Sequence, residues 1–191
     1  METASIIFIT GGVRSGKSSF AEKKAAERAS EIGGSLHYLA TGMPSDQEME
    51  NRIACHQEDR RKSGFSWKTW EQSTNIGSLA SGFREKDVLL LDCLTTWLTN
   101  ELFSQEADWN ESYLKAVFHR ILTEIEAIRK NCHQLVIVSN EVLSDPLHEK
   151  NDLVFMYCQL IGNLHRQIVQ KAMQAYAVEA GVPVLMKGVK R

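Results

Sequence analysis

The sequence predicts an α/β fold, with a mainly parallel sheet and helices on both of its faces. Short apolar runs alternate with segments of helical periodicity along the 191 residues. The runs are nearly continuous rather than alternating, which is the pattern of strands covered on both faces, and such strands occur mainly in parallel sheets. A glycine-rich motif between the first apolar run and the first helical segment supports the same fold, because a phosphate-binding loop requires that setting.

Five apolar runs are predicted strands, and each is bounded by Gly, Pro, Asn or Asp. They are Ile6–Thr10, Leu36–Ala40, Val88–Asp92, Leu135–Ser139 and Val184–Met186. Phe65–Glu71, which contains two tryptophans, is a candidate for one more strand. An antiparallel strand is one alternative here, and the pattern is too short to decide it.

Helical segments lie between these runs. Phe20–Arg28 is rich in helix formers. Apolar residues recur at helical spacing from Tyr113 to Ile128. A second long helix is predicted over Leu153–Ala180, and Gly181 and Pro183 are expected to stop it.

The glycine-rich motif is Gly11-Gly12-Val13-Arg14-Ser15-Gly16-Lys17-Ser18, which fits the phosphate-loop pattern G-x-x-x-x-G-K-[ST]. Its glycines allow consecutive backbone N–H groups to wrap phosphates, and the following helix N-terminus adds partial positive charge. Lys17 is expected to reach the β- and γ-phosphates, and Ser18 to ligate Mg²⁺. The alternative is a chance glycine-rich turn. The strand–loop–helix setting favours a nucleoside triphosphate site.

An acid at the end of a neighbouring strand is the second requirement of such a site. Asp92 ends the run Val88–Asp92 and is the candidate Walker B ligand of Mg²⁺. The alternative is that Asp92 caps the helix that follows. Asn140 and Glu141 also follow a strand, at the sheet edge where doubly wound folds bind ligands, and a role in a helix cap or a turn is equally compatible with their sequence.

Composition limits the possible functions. The chain is 43% hydrophobic with a formal net charge of −2, which fits one domain over residues 1–191 and gives no electrostatic indication of nucleic-acid binding. We interpret Arg60-Arg61-Lys62 as a solvated helix end. The four cysteines have no CxxC spacing and no secretion signal is recognisable, so we expect a cytoplasmic protein. No apolar run approaches the roughly 20 residues of a membrane span.

A histidine-bearing helix is predicted within Asp46–Arg61. Ser45 and Glu48 form a capping box in front of it. Arg52, His56 and Arg60 then fall at successive i, i+4 positions, so the His56 imidazole has cationic neighbours that lower its pKa and keep it neutral and nucleophilic. Taken alone, a helical histidine among charges is more often a surface residue.

Six short motifs follow one another along the chain. They are Thr10-Gly-Gly-Val-Arg-Ser-Gly-Lys-Ser18, Tyr38-Leu-Ala-Thr41, Arg52-Ile-Ala-Cys-His56, Trp67-Lys-Thr-Trp-Glu71, Leu90-Leu-Asp-Cys-Leu-Thr-Thr96 and Val138-Ser-Asn-Glu-Val142. In order and spacing they resemble the bifunctional adenosylcobinamide kinase / adenosylcobinamide-phosphate guanylyltransferase family of cobalamin assembly. The resemblance runs from about Ile6 to Val142 and is weaker beyond.

The resemblance implies a RecA-like P-loop fold, a homotrimer and two reactions. Family members phosphorylate adenosylcobinamide with a nucleoside triphosphate, GTP or ATP, and then transfer GMP from GTP to that phosphate through a covalent GMP-histidine. His56 aligns with that histidine, and Lys17 is the second catalytic residue. The implied nucleotide-binding residues are Gly11 to Ser18, Thr41, Gly42, Met43, Gln57, Glu58, Asp59, Arg60, Glu71 and Asp92.

The chain departs from the family pattern in three places. Cys55 stands before His56 where the family often has a second histidine, and Leu143-Ser144-Asp145-Pro146 replaces a Gly-Met-Gly turn. Further on, Asp152, Gln159 and His165 stand at positions of an Arg, an Asp and an Asn. Most of these departures lie in the later half of the chain, which the resemblance assigns to the corrinoid substrate. A P-loop kinase of another small alcohol and a GTP-binding regulatory module are the alternatives.

Overall fold

A computed structural model of the chain describes residues 4–42, 54, 57–58, 60–62, 64–104, 108–142 and 152–189. The strands are Ser5–Gly11 (β1), Leu36–Ala40 (β2), Trp67–Glu71 (β3), Val88–Asp92 (β4), Gln134–Asn140 (β5), Gln174–Glu179 (β6) and Val182–Lys187 (β7). The helices are Lys17–Ile32 (α1), Leu94–Phe103 (α2), Glu111–Arg129 (α3) and Asp152–Lys171 (α4), with a 3₁₀ helix at Ile76–Gly82. Residues 54, 57–58 and 60–62 are also helical.

The seven strands form one sheet in the order β3-β2-β4-β5-β1-β6-β7. All neighbours are parallel except β6 and β7, which pair antiparallel. β1, β4 and β5 are buried along nearly their whole length. This burial explains their continuous apolar sequences and confirms the prediction of a mainly parallel sheet.

Two hydrophobic cores lie on opposite faces of the sheet. On one face α2, α3, α4 and the 3₁₀ helix pack together around Trp97, which is fully buried. On the other face α1 packs through small residues, which let the helix approach the strands closely. They are Ala21, Ala25, Ala26 and Ala29.

The predicted helix over Leu153–Ala180 is wrong in its second half. The helix ends at Lys171, and Gln174–Glu179 is the strand β6, beside β1. The sequence has no glycine or proline between the two elements, so no breaker marks the change. Gly181, at φ +80°, ends the strand rather than a helix, because it forms the turn to β7.

Two edge strands also differ from expectation. The segment at Trp67–Glu71 is a strand, but it is parallel to β2 rather than antiparallel. The last strand is longer than Val184–Met186 and begins at Val182. Proline at position 183 is compatible with this strand because β7 lies at the sheet edge.

No helix in the described part of the chain combines the length and the apolar character that crossing a bilayer demands.

Candidate active site

The phosphate loop joins β1 to α1, as the motif predicts. A Cβ on Gly11 would lie 2.3 Å from the carbonyl oxygen of Val178, so only glycine fits between β1 and β6 here. Gly16 is at φ +88°, in the left-handed region, immediately before the first residue of α1. The loop therefore ends at the helix N-terminus, whose free N–H groups favour an anion.

Lys17 is buried although it is charged, being only 8% exposed. Its ammonium group donates a hydrogen bond to the carbonyl oxygen of Gly12 at 3.0 Å and so lies over the loop. The hydroxyls of Ser15 and Thr10 are buried without a hydrogen-bond partner among the described residues. A buried cation, unpartnered hydroxyls and a glycine-lined loop fit a phosphate ligand.

Two backbone hydrogen bonds hold the loop from neighbouring elements. The N–H of Glu141, just after β5, donates to the carbonyl oxygen of Gly11 at 2.9 Å. The N–H of Gly181, in the turn between β6 and β7, donates to the carbonyl oxygen of Ser15 at 2.9 Å. These contacts fix the loop to the sheet. The sequence pattern does not reveal the second contact, because it predicts a helix where β6 lies.

Asp92 ends β4, and β5 lies between it and β1. Two strand spacings separate it from the loop by roughly 10 Å. The hydroxyl of Tyr38 donates to Asp92 Oδ2 at 2.9 Å, whereas Oδ1 has no hydrogen-bond partner among the described residues. The residue that caps α2 is Cys93, so the alternative reading of Asp92 as the helix cap is wrong.

Sequence reasoning missed the role of Tyr38, because its partner Asp92 lies 54 residues away in the chain. Burial, followed by the nearby Asp92 carboxylate, raises the pKa of Tyr38 well above its ordinary value. Its hydroxyl therefore stays protonated and donates to Asp92.

Thr41 is fully buried at the end of β2. Its hydroxyl accepts a hydrogen bond from the N–H of Cys93 at 2.8 Å, and its own N–H donates to the carbonyl oxygen of Asp92 at 3.1 Å. The Asn100 amide donates to its carbonyl oxygen at 2.8 Å. That Thr41 contacts nucleotide stays a prediction; in the structure its polar groups bind the end of β4 and α2.

Glu71 and Gly42 lie farther along the same sheet edge. Glu71 is the exposed last residue of β3, in register with Ala40 of β2. A Cβ on Gly42 would have no neighbour within 4 Å, so the chain is open there. Both positions remain candidates for nucleotide contact.

The histidine-bearing segment is described only in part. His56, Cys55, Asp59 and Met43 lie outside the described residues, as do Ser45 and Glu48 of the predicted capping box. Gln57 is exposed.

Glu58 and Arg60, from the same segment, have partners within the described chain. Glu58 pairs with Arg61 at 2.9 Å, within its own helical turn. Arg60 is not solvated as expected but only 5% exposed, because its guanidinium stacks on the Tyr38 ring at 3.6 Å.

At the end of β5 the polar residues are engaged with helices. The Asn140 amide donates to Thr95 Oγ1 at 3.0 Å. His165 Nε2 lies 2.7 Å from Ser139 Oγ, and its ring packs on Phe8 with centroids 5.0 Å apart. Burial lowers the pKa of His165, against a smaller opposing effect of Glu141. Sequence reasoning gave His165 only a structural or surface role.

Mg²⁺ commonly uses one or two carboxylates together with substrate phosphates. Within the described part of the chain, no group of three His, Cys, Asp or Glu side chains could hold a metal ion. The half-buried Asp92, with one free oxygen, and the half-buried Ser18 at the start of α1 fit the sparser set that Mg²⁺ takes beside a triphosphate. The residues present therefore fit this ion.

Residues 7–186 match the family described as cobinamide kinase / cobinamide phosphate guanyltransferase. The chain belongs to this family. One relative, the bifunctional adenosylcobalamin biosynthesis protein CobP of Pseudomonas aeruginosa, is 33% identical over 183 residues, which cover 94% of this chain and 96% of that protein. The bifunctional adenosylcobalamin biosynthesis protein CobU of Escherichia coli K12 is 30% identical over 189 residues, covering 95% of this chain and 99% of that protein.

The fold of this cobinamide kinase / guanyltransferase family member also resembles a solved structure. The flagellar accessory protein FlaH of Methanocaldococcus jannaschii aligns with 98% of the chain and 80% of its own length, at a TM-score of 0.51 and 13% identity. At this identity the likeness concerns the fold alone. Together with the loop between β1 and α1, it confirms the RecA-like P-loop fold.

Proposed function

We propose that this protein phosphorylates adenosylcobinamide and transfers GMP from GTP to the resulting phosphate, giving adenosylcobinamide-GDP. The observation that carries the proposal is the joint presence of a buried Lys17 over a glycine-lined loop and a carboxylate oxygen of Asp92 that no described residue binds, in a chain of this enzyme family. GTP is the proposed guanylyl donor, and GTP or ATP the phosphate donor.

The guanylyl transfer proceeds in two displacements. The neutral His56 imidazole attacks the α-phosphorus of GTP, so that a P–N bond forms while the bond to the bridging oxygen of the β-phosphate breaks and pyrophosphate leaves. An oxygen of the substrate phosphate then attacks the same phosphorus, the P–N bond breaks and the imidazole is regenerated. One difficult step is thereby divided into two easier ones.

The protein's charges stabilise the departing groups. The Lys17 ammonium, held over the loop at Gly12, interacts with the negative charge that develops on the leaving pyrophosphate. Ser18 and Asp92 would hold Mg²⁺, which supplies further charge neutralisation when bound. The loop residues from Gly11 to Ser18 donate N–H groups to the phosphates, and Gly42, Met43, Gln57, Glu58, Asp59 and Glu71 are the proposed remaining contacts.

Labelling with GTP tests the proposal directly. Protein incubated with α-³²P-labelled GTP and Mg²⁺ is expected to carry a label through denaturing electrophoresis, and His56→Ala to carry none. A P–N bond should be lost in acid and survive alkali. Label that persists in His56→Ala would contradict the histidine intermediate, and saturable GTP binding without pyrophosphate release would favour a regulatory module.

A homotrimer and a cytoplasmic location complete the proposal. The edge strand β7 exposes Val182, Val184 and Met186 on one side, an apolar stripe that suits contact with another subunit. Sedimentation equilibrium should give three times the 21.6 kDa chain mass, and Val184→Lys should lower this apparent mass.

The proposed cytoplasmic location is supported by the cysteines. The free, buried thiols of Cys93, Cys132 and Cys158 suit a reducing compartment.

A further inference from the structure

Three side chains outside the phosphate loop support Asp92. Tyr38 and Thr41 contact it directly, and Arg60 packs on Tyr38. Tyr38, only 6% exposed, donates its hydroxyl hydrogen to Oδ2 of the carboxylate at 2.9 Å. A carboxylate with one oxygen bound in this way is held in one rotamer. Its other oxygen then keeps a fixed direction for a ligand.

The backbone around Asp92 is held by Thr41. The Thr41 N–H donates to the carbonyl oxygen of Asp92 at 3.1 Å, and the Thr41 hydroxyl accepts from the N–H of Cys93 at 2.8 Å. The same hydroxyl lies 2.9 Å from the carbonyl oxygen of Cys93, within donating distance. These contacts restrain the two peptide groups that follow the acid, Asp92–Cys93 and Cys93–Leu94.

Arg60 lies behind the tyrosine. Its guanidinium carbon is 3.6 Å from the centroid of the Tyr38 ring, and its Nη1 is 3.5 Å from Oε1 of Glu22 on α1. The side chains of Arg60 and Glu22 are 6% and 16% exposed. A guanidinium that stacks on a ring beside a carboxylate, away from solvent, restrains the plane of that ring.

We infer that Tyr38 is a positioning residue for the Asp92 carboxylate, and that Arg60 acts through the Tyr38 ring rather than on a phosphate of the nucleotide. This inference rests on the proposed role of Asp92 as a ligand of the divalent cation. It gives Arg60 a role different from the nucleotide contact that the family resemblance implies. It also connects the histidine-bearing segment with the metal site, because Arg60 follows His56 by four residues in the sequence.

The test measures divalent-cation binding rather than turnover. Mn²⁺, an EPR-active stand-in for Mg²⁺, is titrated into the protein with the α,β-methylene analogue of GTP, whose α–β bridge cannot be cleaved. Tyr38→Phe keeps the ring but removes the donor, and we expect Mn²⁺ affinity to fall about 10-fold, as for loss of an outer-shell partner. Affinity for the analogue without metal should stay within twofold. Unchanged Mn²⁺ affinity would overturn the inference.

Tyr176→Phe is the matched control. Tyr176 is a tyrosine of the same core, 7% exposed, on β6 rather than beside Asp92. Its hydroxyl is not bonded to the acid, so Mn²⁺ affinity should not change. An equal loss in Tyr176→Phe would overturn the inference, because it would show that any buried hydroxyl matters.

A double-mutant cycle distinguishes a role of Arg60 in holding the Tyr38 ring from a role in contacting a nucleotide phosphate. Arg60→Met is expected to weaken Mn²⁺ binding about threefold in the native background and not at all in Tyr38→Leu, where the ring is gone, because contacting residues are not additive. Additive losses of Mn²⁺ affinity, or weaker metal-free binding of the GTP analogue in both backgrounds, would overturn the inference about Arg60. Missing His56 labelling with these Mn²⁺ results intact would contradict the proposed function and leave the inference standing.

Discussion

The carboxyl ends of β4 and β5 lie side by side in the sheet and differ in how their polar residues are used. At the end of β4, the Asp92 carboxylate has one oxygen bound to Tyr38 and the other free among described residues. At the end of β5, the Asn140 amide donates to Thr95 Oγ1 and so ties the strand to α2. The comparison teaches that two polar residues at neighbouring strand ends serve different purposes: Asp92 keeps a carboxylate oxygen available for a cation, whereas the Asn140 amide nitrogen fixes β5 to α2.

The same contrast extends to the two halves of the chain. The proposed GTP side, from β1 to β4, keeps the family motifs and contains both the phosphate loop and Asp92. The later half departs from the pattern at Asp152, Gln159 and His165, and His165 is engaged with Ser139. We therefore expect guanylyl transfer and corrinoid phosphorylation to be retained to different degrees.

The largest expected effect is on the GTP side. Lys17→Ala and Asp92→Asn should each lower the rate of guanylylation about 10²–10³-fold, since both stabilise charge in the transition state. Their Tm values should stay close to that of the native protein. Lys23→Ala, at an exposed lysine of α1, is the matched control and should keep full activity. Full Mg²⁺-dependent turnover in Asp92→Asn would assign the metal to another acid, with Glu141 as the next candidate.

The second prediction concerns the relative rates of guanylyl transfer and of adenosylcobinamide phosphorylation. Purified protein is supplied with GTP and either adenosylcobinamide or its phosphate, and both products are followed. Guanylyl transfer should be the faster activity, because small misplacement of a substrate can cost about 10²-fold and the departures lie in the later half. Phosphorylation at a rate equal to guanylylation would show that the altered segment still builds the corrinoid site.

A pair of glycine variants tests the phosphate loop itself. Gly11→Ala places a methyl group against the Val178 carbonyl oxygen, 2.3 Å away, whereas a Cβ on Gly12 has no neighbour within 4 Å. Overpacking costs about 1–3 kcal/mol, and each kcal/mol lowers the Tm of a protein of this size by about 2–4 °C. Calorimetry should show this fall for Gly11→Ala alone. Equal Tm values would mean that β1 and β6 are not in tight contact.

The smallest expected effect concerns acid stability. Burial lowers the pKa of His165 from its ordinary 6.5, so the unfolded state takes up a proton first as the pH falls. The free energy of unfolding should therefore decrease below about pH 6.5. His165→Asn removes this contribution, and the fall in its urea midpoint between pH 7.5 and pH 5.5 should be smaller than for the native chain.

The control for this measurement is His119→Asn, at an exposed histidine on α3. Its urea midpoint should show the native pH dependence. If His165→Asn and the native chain lose stability equally between the two pH values, the His165 ring is not protected from protonation in the folded protein.

The sequence by itself determined the phosphate loop, the acid at the end of β4 and the parallel core of the sheet, because each depends on consecutive residues whose pattern is local. It did not determine the end of α4, since no breaker precedes β6, nor the direction of β3, which depends on how the chain crosses over the sheet. The partners of Asp92 were also decided only by the tertiary structure. Tyr38 lies 54 residues from Asp92 in the chain, and the sheet brings them together because β2 and β4 are neighbours. Contacts between side chains so far apart have no local signal, so only packing decides which oxygen of the acid stays available.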